Sequence, residues 1–188
     1  MLKDVASRDA VIDGDADTLR DLLHQQPTLL DRKIARVDMF RHAANENHQA
    51  VTNVLVEYGA PWTIDAASAL GRMEQVESLI AADPSLLKSA EPLVAAARND
   101  HVNVMALLLD RGAKIDQPLE SGWTALHEAV RSTSVNAVEV LLSRGANTHA
   151  KEEWGNTPLM MNLPRTSERK KIRDLFVAHG ATPEDKSS

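Results

Sequence analysis

Apolar residues recur at spacings of three and four in VNVMALLLDRG (Val102 to Gly112) and in NAVEVLLSRG (Asn136 to Gly145). This spacing predicts two amphipathic helices, each closed by a glycine. Gly-Ala pairs follow four such helices, at Gly59-Ala60, Gly112-Ala113, Gly145-Ala146 and Gly180-Ala181. A glycine just past the last helical residue takes the left-handed conformation that closes free carbonyls. About twenty residues before each pair lies another helix start. The pattern is periodic, since Gly122/Gly155, Leu126/Leu159, Thr124/Thr157 and Gly112/Gly145 are each 33 residues apart. A fixed period of that size predicts a stack of supersecondary units with a long exposed surface, suited to holding a partner rather than turning over a substrate.

GWTALHEAV followed by AVEVLLSRGAN resembles an ankyrin repeat, and GNTPLM opens the next unit with that family's Thr-Pro-Leu signature. The resemblance implies two antiparallel helices per unit followed by a projecting loop. It also implies a histidine, here His127, that hydrogen-bonds the threonine and the neighbouring loop backbone. Thr124 and Thr157 suit helix caps, Pro92 and Pro158 suit a first helical position, and Leu126 and Leu159 are expected to point into the stack. Ala43-Ala44 and Ala96-Ala97 allow close approach of adjacent units. Two earlier segments, Ala10 to Leu30 and Ser68 to Leu87, match one another at an offset of 57 and end in a Pro-(Thr/Ser)-Leu-Leu turn instead of Gly-Ala. In the last unit Leu159 and Gly180 are 21 apart, against 19 in the preceding two units, and Pro164 is expected to end its first helix early.

The expected architecture is therefore an all-α ankyrin-repeat solenoid of about six helix-turn-helix units with short projecting loops. The units run over roughly 3–35, 36–63, 64–90, 91–120, 121–153 and 154–183 of a single domain, with a flexible tail at 184–188. Net charge, 21 − 27 = −6, disfavours a general nucleic-acid binder. The absence of cysteine removes disulfides and thiolate chemistry. The N-terminus lacks the basic flank and apolar run of a signal peptide, and no 18-residue apolar stretch offers a membrane span. A cytoplasmic monomer with no cofactor is the expectation.

Seven histidines raise the question of a metal: His24, His42, His48, His101, His127, His149 and His179. They fall at different places in different units and show no ligand spacing, so structural or surface roles are expected. Asp13, Asp15 and Asp17 alternate like the first ligands of a calcium loop but lack its later glycine and glutamate, and an acidic helix cap accounts for them. No nucleophile elbow, phosphate loop or paired-carboxylate signature accompanies the serines, histidines and aspartates, so no catalytic role is expected.

Three of the six aromatic residues are tryptophan. Trp123 and Trp154 stand at loop positions next to Gly122 and Gly155, where tryptophan makes a binding anchor. Packing of the loops against one another is the competing role, and it is the expected one for Trp62. Glu120, Ser121, Arg131, Ser132 and Asn156, with Arg98 and Asn99 of the fourth unit and Asn45 and Glu46 of the second, are expected on the concave side. That mixture suits a protein or peptide with acidic and apolar groups, read through an arginine-aromatic patch. Arg165, Arg169, Lys170, Lys171 and Arg173 make a basic end, expected to be solvated. The function expected is a non-catalytic protein-interaction module using its C-terminal repeats. An inhibitor or immunity-type regulator occluding a partner enzyme, or a small-ligand or metal binder, are the alternatives.

Overall fold

A computed structural model describes residues 2–27, 39–46, 48–161 and 166–181. Among these residues every regular element is helical. The elements pair in sequence: α1 (Leu2–Asp13) with α2 (Ala16–Gln25), α3 (Met39–Asn45) with α4 (Gln49–Glu57), and α5 (Ile64–Ala69) with α6 (Met73–Ala82). They continue with α7 (Glu91–Arg98) and α8 (Val102–Asp110), then α9 (Ala125–Arg131) and α10 (Val135–Ser143). Last comes a short 3-10 turn, Pro158–Met160, followed by α11 (Ser167–Ala178). First helices pack on first helices, α3 on α5, α5 on α7 and α7 on α9, while α6, α8, α10 and α11 form a second row. Pro164 and the tail at 184–188 lie outside the described residues.

The repeat shows in the backbone as one turn made five times. Asp15, His48, Arg72, His101 and Ser134 each donate their N–H to the carbonyl five residues back, that of Ala10, Ala43, Ala67, Ala96 and Ala129. Gly14 and Gly71 supply the left-handed residue in two of these turns, and Asp100 and Thr133 adopt it in two others, at φ 58° and 56°. Asp100 compensates by accepting hydrogen bonds from the Asn136 amide at 2.6 Å and the Ala137 N–H at 2.7 Å, which tie its turn to the next unit. A second recurring closure follows the other helices, with Ala60, Ala113, Ala146 and Ala181 bonding Leu55, Leu108, Leu141 and Phe176. Each such alanine follows a positive-φ glycine, as the Gly-Ala pattern predicts.

Helix starts follow from capping chemistry. Asp15 accepts from the Thr18 N–H and hydroxyl at 3.0 and 2.6 Å, so the middle residue of the acidic alternation caps the start of α2. Thr63 caps α5 and Thr166 caps α11. Of the two Pro-(Thr/Ser)-Leu-Leu endings, Pro84–Lys88 is a 3-10 turn begun by Asp83, and Thr28 to Leu30 lie outside the described residues.

The core is a ribbon between the two rows. One set of buried side chains runs from Ala10 through Leu19, Leu23, Phe40, Val51 and Leu55 to Ala95, and another from Ile64 through Met105, Leu108, Leu126 and Leu141 to Phe176 and Ala181. Trp62 touches both and stands edge-on to Phe40 with ring centroids 5.0 Å apart. It packs on helix α3, where loop-to-loop packing was expected. Arg20–Glu57, Arg111–Glu77 and Arg144–Asp110 link neighbouring second-row helices at the surface. Exposed pairs of this kind contribute only about 0–1 kcal/mol each.

Candidate functional site

Two loops that follow α8 and α10 are built alike. In the first, Leu119 donates to the Trp123 carbonyl (2.8 Å) and Gly122 to that of Leu119 (2.9 Å); in the second, Glu152 donates to Asn156 (3.1 Å) and Gly155 to Glu152 (2.8 Å). Glu153 N–H donates to the Ser121 carbonyl at 3.0 Å, which seats one loop on the other. Leu119 in the first loop stands at the place of Glu152 in the second. The buried Glu152 carboxylate accepts from the N–H of Trp154 (3.1 Å), the N–H of Asn156 (2.8 Å) and the Asn156 side-chain amide (2.8 Å). Loss of water around this carboxyl pushes its pKa up, but the hydrogen bonds from Trp154 and Asn156 outweigh that and hold it below the ordinary value.

This internal scaffold separates the two loop tryptophans. Trp154 is 74% exposed, the most exposed large hydrophobic side chain among the described residues. Trp123 is half-buried, its ring centroid 5.9 Å from that of His127. Trp123 is therefore largely a packing residue, and Trp154 is the ring presented to solvent.

His127 is fully buried at the base of both loops. The Thr124 backbone N–H can only donate, so Nδ1 of His127 accepts from it at 3.2 Å, and Nε2–H donates to the Asn156 carbonyl at 3.2 Å. Burial lowers the His127 pKa below the ordinary 6.5, against the opposing pull of the Asn156 carbonyl and Glu152. His48 and His101 serve the turns: the ring of His48 bonds the Val11 carbonyl at 3.1 Å, and Nε2 of His101 bonds that of Ala69 at 3.0 Å. Among the described residues no group of three or more histidine, aspartate or glutamate side chains is arranged to hold a metal ion.

At the C-terminal ends of α7 and α9 the structure brings together three residues of the sequence-derived surface and one that sequence reasoning missed. Glu128 accepts Arg98 Nε at 2.6 Å, Arg131 Nε at 3.2 Å, Arg131 Nη2, and the Ser132 hydroxyl at 3.5 Å. Burial raises the Glu128 pKa, but the hydrogen bonds and charges of both arginines prevail and hold it below the ordinary value. Glu46 adds its field to Arg131. Asn99 is committed to its own helix, donating to the Ala95 carbonyl at 3.2 Å, and Asn156 is committed to Glu152. Glu120 is exposed and Ser121 half-buried. The side chain of Asn45 lies outside the described residues. Glu128 was legible only as a polar residue breaking the apolar run of α9.

Residues 63–152 match the family model of ankyrin repeats, in three copies. No curated protein matches the chain. Among solved structures it resembles the human ASB11 ankyrin repeat domain, with 23% identity over 94% of this chain and 83% of that one, at a TM-score of 0.56. It also resembles an ankyrin repeat domain from Acinetobacter baumannii AYE, with 26% identity over 93% of this chain and 97% of that one, at a TM-score of 0.54. No helix among the described residues is long and apolar enough to cross a membrane.

Proposed function

Because residues 63–152 are ankyrin repeats and the chain has the fold of an ankyrin-repeat domain, a scaffold that generally serves protein–protein interaction, we propose that it is a non-catalytic module that holds a protein or peptide through its C-terminal repeats. The observation that carries this reading is Trp154. A large apolar ring, 74% exposed, stands on a loop whose backbone is fixed by the Glu152 carboxylate. Interfaces draw much of their energy from aromatic anchors, and a rigid anchor loses little entropy on binding. A six-unit single domain that leaves its best-formed loops at the C-terminal end is part of the same proposal. Glu120 and Ser121 of the preceding loop, with Arg98 and Arg131 at the ends of α7 and α9, make up the polar part of the proposed surface.

The test is affinity capture from extract of the native cell, with the wild-type protein beside Trp154→Ala, read by mass spectrometry. A specific partner retained by the wild type and lost by a variant with unchanged melting supports the reading. Equal retention by both removes Trp154 from the interface, and the absence of any specific partner overturns the interaction function.

A further inference from the structure

The ion pairs of the described residues are mostly one carboxylate to one arginine at the surface. In Arg20–Glu57, Arg41–Glu91, Arg111–Glu77 and Arg144–Asp110 the carboxylate side chains are 37–62% exposed. Glu128 breaks that pattern twice. Its side chain is 5% exposed, and it serves two guanidinium groups, Arg98 and Arg131, which are themselves 29% and 50% exposed. The two arginines lie 33 residues apart, at the same place in adjacent units. Arg98 Nε and Arg131 Nη2 converge on one oxygen, Oε1. The bonds to Glu128 engage Nε of Arg98 and Nε and Nη2 of Arg131, so both terminal nitrogens of Arg98 and Nη1 of Arg131 keep donors for another acceptor.

We propose that Arg98 and Arg131, held side by side by the buried Glu128, form a binding site for a single carboxylate of the protein partner, such as an exposed glutamate or aspartate side chain. The inference rests on the interaction reading given above and specifies the chemistry of the partner. A guanidinium edge matches the two oxygens of a carboxylate, and the bonds to Glu128 restrict the rotamers of both arginines before the ligand arrives. Charge selects the ligand: two arginines and one glutamate leave a net charge of +1, which one carboxylate neutralises and a phosphate dianion overshoots. Glu46 influences Arg131 only through its field, with no ion pair to it, so it lowers the surrounding potential and leaves the +1 contact itself, weighting the site further against a dianion.

The experiment follows the Nε–Hε resonances of Arg98 and Arg131 by NMR in the nitrogen-15-labelled full chain, titrated in parallel with an N-acetylated, C-amidated hexaglutamate peptide, a hexalysine peptide and inorganic phosphate. Saturable shifts of both resonances with hexaglutamate and none with hexalysine are expected. Affinity should fall about tenfold in Arg98→Gln or Arg131→Gln and rise in Glu46→Gln. Trp154→Ala should leave the shifts unchanged, so failure of the loop anchor and failure of the carboxylate site read out separately. No saturable shift, a peptide response indifferent to Arg98→Gln, or phosphate displacing the peptide at equal concentration each overturns the proposal. If a glutamine variant does not fold, the wild-type titrations against the three probes decide the matter alone.

Discussion

Gly122 lies directly against Glu152: a Cβ added to Gly122 would stand 2.9 Å from the Cα of Glu152 and 3.3 Å from its carbonyl carbon. The obstacle is backbone, which has no flexible end to move aside, and Gly122 also holds φ at +79°. One loop thus seats on the next only because residue 122 has no side chain. Gly122→Ala should destabilise the chain by about 1–3 kcal/mol, through backbone strain and separation of the loops. Urea unfolding of the variant beside Gly155→Ala, where nothing lies within 4 Å of the added carbon, separates the steric part from the conformational one.

Stability should fall on mild acidification. Burial holds the pKa values of His127 and His101 below 6.5, so the folded chain binds fewer protons at these sites than the unfolded chain does. That difference favours unfolding once the pH drops below 6.5, and the loss grows until the pH passes below the lowered folded values. Glu128 and Glu152, held below 4.5, contribute stability that is retained above 4.5 and lost only as the pH falls through their folded values. The interval between those two thresholds isolates the histidines. Urea midpoints should decline across it for the wild type and decline less for His127→Gln.

Leu126 and Leu159 occupy equivalent positions, yet they are not equivalent in the fold. Leu126 is 1% exposed between neighbouring units, whereas Leu159 sits half-buried on the 3-10 turn of the last one. Leu126→Ala should cost about 2–5 kcal/mol through the cavity it leaves. Leu159→Ala should cost clearly less, since water already reaches part of its surface. Equal midpoints for the two variants would contradict this placement.

Removing the Glu152 carboxylate should loosen the anchor without unfolding the stack. In Glu152→Ala the N–H groups of Trp154 and Asn156 lose their acceptor, so the indole should sample a wider range of orientations. Time-resolved fluorescence anisotropy in a background with Trp62 and Trp123 replaced by phenylalanine reads this as faster local depolarisation. Unchanged anisotropy would mean that the backbone closures from Glu152 N–H to Asn156 and from Gly155 N–H to Glu152 suffice to hold the loop.

The stack was legible because its determinants are local. Glycine after an apolar helix and threonine before one each act within a few residues of themselves, and Gly112, Gly145 and Thr124 behave in the fold as their positions imply, while the 33-residue period repeats these local signals along the chain. What escaped reading depends on register across units. Glu128 and Glu152 look like ordinary surface acids in sequence, because only the stack brings Arg98, thirty residues away, onto one and folds a loop around the other. Trp123 follows its loop glycine and Trp154 precedes its own, but which ring is packed and which is exposed is decided only by the way the loops fold and seat on one another.

The two sets of core side chains do not meet at a clean border. Helix α5 gives Ile64 and Ala67 to one and Ala66 and Ala69 to the other, and α7 likewise contributes Leu93 and Ala95 to different sets. A tear across the middle of the chain therefore cannot follow an existing crack, because it strips apolar surface from both halves at once. Although its architecture is that of beads on a string, the molecule is dovetailed at its centre, and any fraying should start at the outer units and halt at that joint.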